Sequence, residues 1–117
     1  MSGNVKFDKW INDDNSENYK CRAWVNFNGQ GTVAIRTSGG VSSITDNGTA
    51  DYTVNFTNAM PDANYATFVN TVTLYNGSAA CYSQSAGAYV AGSVRVVTFG
   101  TNQAVIDAST VSVAIFR

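Results

Sequence analysis

The sequence predicts an all-β fold, an antiparallel β-sandwich of jelly-roll-like form. Short segments in which apolar and polar residues alternate recur along the 117 residues, and this alternation is typical of strands with one buried face. Clusters of Asn, Gly, Ser and Asp between those segments favour tight turns. No 3.6-residue periodicity persists long enough for a helix of ordinary length. We therefore expect about eight to ten strands in a single domain that covers residues 1–117.

The first part of the chain is predicted to form a meander of short strands. Residues 5–11 alternate imperfectly and are the expected first strand, whereas residues 19–27 form the clearest alternating strand. Residues 32–36 are predicted to return after one turn, and residues 41–45 to follow another. The residues expected to face inward are Tyr19, Cys21, Ala23, Val25, Phe27, Val33 and Ile35.

A hairpin is predicted directly after residue 45. Asn47 and Gly48 tolerate left-handed backbone conformations, so we expect them to occupy the turn, with Gly48 at positive φ. In the strand that follows, polar residues alternate with an inward set formed by Tyr52, Val54 and Phe56.

The second part of the chain continues the same pattern. Further strands are expected at residues 65–75, 81–85, 94–99 and 111–116, with turns at residues 76–78 and 100–103. The strand at residues 65–75 places five residues on a common face: Ala66, Phe68, Asn70, Val72 and Leu74.

Charge and hydropathy exclude two classes of partner. Charged residues make up 13% of the chain and its formal net charge is −1. Such a chain lacks the basic surface that binds nucleic acid or anionic membranes. No apolar run approaches the roughly 20 residues of a membrane span, and the N-terminus has no signal-peptide pattern. We expect a soluble domain made in a cytoplasm, with no nucleic-acid partner and no membrane insertion.

Three segments, YKCRAWVNFNGQGTVAIR, SSITDNGTADYTVNFTNAMPDANY and VSVAIFR, resemble the C-terminal tip domain of bacteriophage tail-fibre proteins. The resemblance covers residues 19–65 and 111–117, whereas residues 66–110 match no recognisable motif. It implies a virion protein that is assembled in the bacterial host cytoplasm as a homotrimer. It also implies contacts with other virion tail proteins and with a bacterial cell-surface receptor, either a glycan or an outer-membrane protein.

Cys21 and Cys81 are the two cysteines of the chain. Cys21 alternates in step with apolar neighbours, so we interpret it as a small buried side chain. A disulfide with Cys81 is the alternative, but the cytoplasmic assembly implied by the resemblance disfavours it.

Catalysis is not expected. The chain has no histidine, which removes the commonest general base and the commonest zinc ligand. Glycoside hydrolysis would need two carboxylates facing each other across a sugar. Most carboxylates here lie in predicted loops and turns, and only Asp8 and Asp107 lie outside them. We predict no catalytic residue and no cofactor.

Two further motifs are interpreted as local structure. Residues 12–17 are rich in oxygen ligands, but they lack the spacing of an EF-hand loop, so we expect a solvated loop and no metal site. Three asparagines start glycosylation sequons, yet they fit turn and strand chemistry: Asn47, Asn55 and Asn76.

Trp10 and Trp24 fall on the polar side of their predicted strands. A tryptophan on an outward face is either covered by a second surface or free to bind a ligand. In a trimeric fibre tip the covering surface would be a neighbouring subunit. We therefore expect both residues at a subunit interface, with ligand binding as the alternative.

Tyrosines and amides concentrate in the segment that lies outside the resemblance. Tyr with Ser, Asn and Gly is the chemistry that antibody loops use for adaptable recognition, and it also suits sugars. The alternatives are that these residues rim a β-sheet or line a subunit interface. The predicted receptor-binding residues are Tyr75, Asn76, Tyr82, Gln84 and Tyr89.

Two classes of function remain open. The first is a non-enzymatic receptor-binding tip of a phage tail fibre. The second is a purely structural virion domain that supports trimerisation. The divergent tyrosine-rich segment favours the first.

Overall fold

The computed structural model describes residues 3–6, 8–72, 80–82, 89–100 and 104–117, of which residues 80–82 are described by their backbone. Nine β-strands form the regular structure of these residues. In this part of the chain no helix is long and apolar enough to cross a membrane. The strands are β1 (Cys21–Asn28), β2 (Ala34–Gly39), β3 (Val41–Gly48), β4 (Asp51–Phe56), β5 (Ala66–Val72), β6 (Ala80–Tyr82), β7 (Tyr89–Val90), β8 (Ser93–Phe99) and β9 (Thr110–Phe116).

The strands pair into two antiparallel sheets, which confirms the predicted sandwich. The four-stranded sheet has the order β2-β1-β9-β5, and the five-stranded sheet has the order β3-β4-β8-β6, with β7 also paired to β8. The late strands β9 and β8 lie between earlier strands in their respective sheets. The chain changes sheet after β2, β4, β5 and β8, so each sheet combines strands that are distant in sequence.

Alternate residues of the central strands build the core between the sheets. Phe27 of β1 meets Tyr52 of β4 edge to face, with 5.2 Å between ring centroids. This contact joins the two sheets, since β1 and β4 belong to different ones. The predicted inward sets of β1 and β4 are confirmed for Ala23, Val25, Phe27, Tyr52, Val54 and Phe56, and they are joined by Val94, Val96, Val111, Val113 and Ile115.

The start of β1 departs from the prediction. Cys21 is a free, exposed cysteine, and Tyr19 is 71% exposed, so the predicted burial of both residues is wrong. The pairing of β1 with β9 shifts register between Cys21 and Ala23. This β-bulge breaks the period-two alternation, and the residues before it lose the inward phase that the sequence pattern suggested.

Two other expectations in the first part of the chain are corrected. The predicted strand at residues 5–11 does not form within the described residues. The end of this segment pairs instead with the residues at and after the end of the loop at 12–17. Ile11 bridges to Glu17, and the Asn18 amide donates to the Trp10 carbonyl over 2.6 Å. Ile35 is exposed although it was predicted inward, since it lies on the edge strand β2, whereas Val33 packs against the core.

The second part of the chain follows the predicted order of strands. β5, β8 and β9 fall within or close to their expected ranges. β6 is described at Ala80–Tyr82, and residues 83–85 of its expected range lie outside the described residues. β7 is a short strand that was not predicted. The turn predicted at residues 76–78 lies outside the described residues, as does most of the turn predicted at residues 100–103.

The β3–β4 hairpin turns two residues later than predicted. Asn47 remains in β3, where its side-chain amide donates to Thr53 Oγ1 over 2.8 Å, and Gly48 pairs with Asp51. Thr49 and Ala50 therefore make the turn. Gly48 has the predicted positive φ, 137°, and Ala50 has φ 60°.

Gly48→Val should lower the free energy of unfolding by about 1–2 kcal/mol, because a β-branched residue is strained at positive φ. Space is not the obstacle, since a Cβ atom added at Gly48 meets nothing within 4 Å. Gly92→Val is the matched control: a Cβ there also meets open space, and its φ lies outside the left-handed region. Urea denaturation of both variants measures the difference. Equal loss in the two variants would contradict the assignment of strain to φ.

Candidate functional site

The outer faces of the two sheets differ in their chemistry. On the five-stranded sheet the polar side chains bind one another. The Asn55 amide donates to Ser43 Oγ over 3.1 Å and to Thr45 Oγ1 over 2.9 Å. Arg95 and Asp51 form an ion pair in which Nε donates to Oδ1 over 2.7 Å. This face uses its hydrogen-bonding groups internally.

The outer face of the four-stranded sheet carries exposed aromatic residues instead. Trp24 of β1 pairs with Ala114 of β9, and Ala114 pairs in turn with Phe68 of β5. Phe68 is 61% exposed and Trp24 is 42% exposed. The two aromatic side chains therefore lie on either side of a small alanine, in one row across the sheet.

Gly39 allows Trp24 to lie close to the sheet. Gly39 is the β2 partner of Trp24, and a Cβ atom added there would come within 2.4 Å of the indole Nε1. The indole thus covers the glycine backbone, and any side chain at this position would displace it. This packing fixes the orientation of the ring while part of its surface stays exposed.

A polar row runs beside the aromatic row. Asn26 of β1 pairs with Thr37 of β2 on one side and with Ser112 of β9 on the other. Ser112 also pairs with Asn70 of β5, so four uncharged polar residues cross the whole sheet. The Asn26 Nδ2 atom lies 3.5 Å from Ser112 Oγ. Donors and acceptors therefore line up next to the aromatic side chains.

The two rows line a surface groove of about 460 Å³. None of the described residues that line it is charged; they are Trp24, Val25, Asn26, Thr37, Phe68, Val69, Asn70, Ser112, Val113 and Ala114. We call this surface the aromatic groove.

Two neighbours hold the aromatic groove in shape. Phe116 meets Phe68 edge to face, with ring centroids 5.8 Å apart. The Arg36 guanidinium donates to Asn26 Oδ1 over 3.2 Å and to Thr110 Oγ1 over 3.0 Å. It also donates to the Ser109 carbonyl over 2.6 Å, so this cation is engaged beside the groove and its bond to Asn26 orients that amide.

Three carboxylates have structural roles. Asp107 accepts from the Ala50 amide over 2.7 Å and lies 2.9 Å from the Tyr52 hydroxyl. The Arg95 guanidinium holds the pKa of Asp51 below its ordinary value. Arg117 and the Asn64 amide lower the pKa of Asp62 to about 2. These side chains are held as anions or hydrogen-bond acceptors, and none of them lines the aromatic groove.

The oxygen-rich loop at residues 12–17 is closed by its own hydrogen bonds. Asn12 Nδ2 donates to Ser16 Oγ over 3.1 Å, and the Ser16 amide donates to Asp14 Oδ1 over 2.9 Å. The bonds from Ser16 keep the pKa of Asp14 below its ordinary value. Among the described residues no group of three or more Cys, Asp or Glu side chains is arranged to hold a metal ion.

The predicted receptor-binding residues are placed as follows. Tyr75, Asn76 and Gln84 lie outside the described residues, and Tyr82 is described by its backbone, which pairs with Val97 in β6. Tyr89 is half-buried, and its ring packs against Tyr65 with centroids 5.2 Å apart.

Tyr89 is thus attached to the edge of the core. Tyr65 donates from its hydroxyl toward the Val90 and Ser93 carbonyls, 2.9 Å and 2.8 Å away. Burial, followed by the neighbouring Tyr89, raises the pKa of Tyr65 to about 12. The role of the five predicted residues in receptor binding stays a prediction.

Trp10 and Trp24 were predicted at a subunit interface, and both are exposed. Trp24 lines the aromatic groove, whereas Trp10 lies in the segment before β1. Sequence reasoning did not single out the other groove residues. The signal was present in the alternation of β5, which placed Phe68 and Asn70 on one face without showing that this face points outward.

Comparison of the chain with protein-family models, with curated proteins and with solved structures finds no match.

Asp62→Asn should reduce the loss of stability at acid pH. The pKa of Asp62 is about 2 in the folded chain against an ordinary value of 3.8. At a pH between these two values the unfolded chain therefore binds more protons than the folded chain does. Stability from the Asp62–Arg117 ion pair is therefore present above about pH 4 and is lost as pH falls toward 2. Urea unfolding at a series of pH values measures this slope.

Asp8→Asn is the control for this measurement, because Asp8 belongs to neither of the ion pairs found among the described residues. We expect a shallower acid slope in the Asp62 variant and an unchanged slope in the control. Identical slopes in the wild-type protein and the Asp62 variant would contradict the assignment.

Proposed function

We propose that this chain is a non-enzymatic attachment module, the receptor-binding tip of a bacteriophage tail fibre, which binds a bacterial surface. The observation that carries the proposal is the aromatic groove on the outer face of a closely packed sandwich. Exposed Trp24 and Phe68 form a continuous row with a small residue between them. Exposed aromatic residues beside aligned polar groups are typical of recognition surfaces. The tail-fibre resemblance of the sequence supports the same function.

The position of the groove also favours binding over catalysis. It is formed by the four strands β2, β1, β9 and β5, and the opposite face of this sheet packs on the core. A surface fixed in this way is preorganised, so little conformational entropy is lost when a ligand binds. The Asp51, Asp62 and Asp107 carboxylates bind Arg95, Arg117, Tyr52 and the Ala50 amide, and they do not form an acid–base pair across a ligand.

A homotrimer is part of the proposal. The segment before β1 exposes several large apolar residues: Val5 at 77%, Trp10 at 54% and Ile11 at 50%. These side chains lie outside the two sheets, where contact with a neighbouring subunit would remove them from water. The alternative is a structural domain in which Trp24 and Phe68 also serve trimer contacts. The solution mass of the Trp24→Ala and Phe68→Ala variants distinguishes the two, because loss of a trimer contact would lower that mass.

The first test is the mass of the protein in solution. We expect sedimentation velocity at micromolar concentration to give three times the chain mass of 12.4 kDa. Ile11→Ser should shift the equilibrium toward monomer, because it removes an exposed apolar side chain from the proposed contact. Val105→Ser, at an equally exposed valine far along the chain, is the control. A monomeric wild-type protein would contradict the trimer.

The second test is attachment to cells. The fluorescently labelled protein should bind the surface of at least one strain in a panel of Gram-negative and Gram-positive bacteria, because a fibre tip must recognise its host. Binding should saturate and be displaced by unlabelled protein. Absence of saturable binding to every strain would reject the attachment function and leave the structural alternative.

A further inference from the structure

We infer that the aromatic groove is a binding site for an uncharged stretch of polysaccharide at least three sugar rings long. The inference deepens the proposed attachment function and rests on it, since it names the receptor chemistry and the residues that recognise it. It also assigns the ligand role to residues other than the tyrosine-rich segment.

The aromatic side chains supply two stacking surfaces at a defined separation. Trp24 and Phe68 flank Ala114 in the paired register of β1, β9 and β5. Two inter-strand spacings separate them, about 10 Å. This distance is comparable with the length of one disaccharide unit in an extended glycan. Trp24 would therefore pack against one ring and Phe68 against the next ring but one, with Ala114 leaving room for the ring between them.

The polar row supplies hydrogen bonds along the same direction. Sugar hydroxyls both donate and accept, and an amide side chain offers one acceptor and two donor hydrogens. Arg36 occupies Asn26 Oδ1, so Asn26 presents its Nδ2 donor toward Ser112 and the groove. Asn70 is exposed at the other end of the row. A glycan lying over the aromatic row would thus place its hydroxyl edge against these amide and hydroxyl groups.

The absence of charge among the described groove residues selects a neutral ligand. An acidic sugar would need a cation, which the described lining residues lack, and Arg36 beside the groove directs three of its N–H donors to Asn26, Thr110 and the Ser109 carbonyl. A basic ligand would need a carboxylate, which the described lining residues lack. Neutral hydroxyl groups match this surface best.

A second protein surface fits the groove less well than a glycan. Thr37, Asn26, Ser112 and Asn70 cross the sheet from edge to edge. Asn26 and Ser112 already bind within the sheet, but a covering subunit would have to pair the remaining groups, because burying a polar group without a partner is unfavourable. A sugar carries hydroxyl groups along its whole edge, so it satisfies them without a special partner sequence.

The test uses soluble surface polysaccharides from a panel of bacterial strains, neutral and acidic, arrayed and probed with the intact protein. We expect binding to neutral polysaccharides. Calorimetry with fragments of the best one should show a sharp gain in affinity from disaccharide to trisaccharide, when the second stacking surface is reached. Trp24→Ala, Phe68→Ala and Asn70→Ala should each weaken binding about tenfold or more, which corresponds to about 1.4 kcal/mol.

Tyr19→Ala is the matched control, since it removes an exposed aromatic side chain outside the groove, and it should bind as the wild type does. Circular dichroism and thermal melting verify that each variant folds. Asn70→Ala changes an exposed side chain of an edge strand, so it keeps the test decisive if an aromatic variant fails to fold.

Three results would overturn the inference. If the protein attaches to cells and the groove variants attach equally well, the attachment function stands and the site is elsewhere. If Trp24→Ala converts the trimer to monomer, the groove is a subunit contact. Binding confined to acidic polysaccharides, or to none of the arrayed ones, would also overturn it. If the wild-type protein attaches to no strain, the result is different, because it rejects the proposed function itself.

Discussion

The Tyr52 hydroxyl is the constraint on which the alignment of the two sheets depends. It lies 2.7 Å from the Gly29 carbonyl and 2.9 Å from Asp107 Oδ1. It therefore links β4 to the residue that follows β1 and to the segment that precedes β9. Burial and the Asp107 carboxylate raise the pKa of Tyr52, which keeps the hydroxyl a donor. Asp107 also accepts from the Ala50 amide, so the same carboxylate supports the left-handed residue of the β3–β4 turn. A buried donor of this kind is costly to leave unpaired, and its acceptors are therefore held in place.

Fixing β1 and β9 relative to the core also fixes what lies on their outer faces. Successive residues of a strand point to opposite sides, so burial of Val25 and Val113 places Trp24, Asn26, Ser112 and Ala114 outward. Because of the bulge between Cys21 and Ala23, this alternation of inward and outward side chains holds only in the part of β1 that follows the bulge. A shift of one residue in the strand register would turn the core side chains outward and the groove side chains inward. Stability and recognition are thus set by the same register.

The local alternation of residues was sufficient to predict the class of fold, the inward sets of β4 and of β1 after its bulge, and the outward position of Trp24. It could not predict the groove. The groove requires Trp24, Ala114 and Phe68 to share a row, and these residues meet because strands distant in sequence pair with one another. Alternation in β5 does not state which face is outward, since Phe68 and Val72 are apolar like the core yet exposed. The errors at Cys21 and at the β3–β4 turn have a related cause, because a bulge changes the phase of a strand without a clear mark in its composition.

The two outer faces carry similar residue types, but the side chains have different roles. On the five-stranded sheet Asn47 and Asn55 bind the hydroxyl groups of Thr53, Ser43 and Thr45, so these amides stabilise the pairing of β3 with β4. On the four-stranded sheet the amides stand beside exposed aromatic rings. Asn26 is bound to Arg36 and Ser112, whereas the exposed Asn70 is the amide that a ligand would reach. Amides already bound within a sheet gain little from a ligand, because a new hydrogen bond would replace an existing one. Amides next to an apolar surface can gain more, since a ligand that covers the aromatic rings also excludes water from those hydrogen bonds. The position of the aromatic rings therefore decides which face can recognise a ligand, and Gly39 and Ala114 decide the position of the rings.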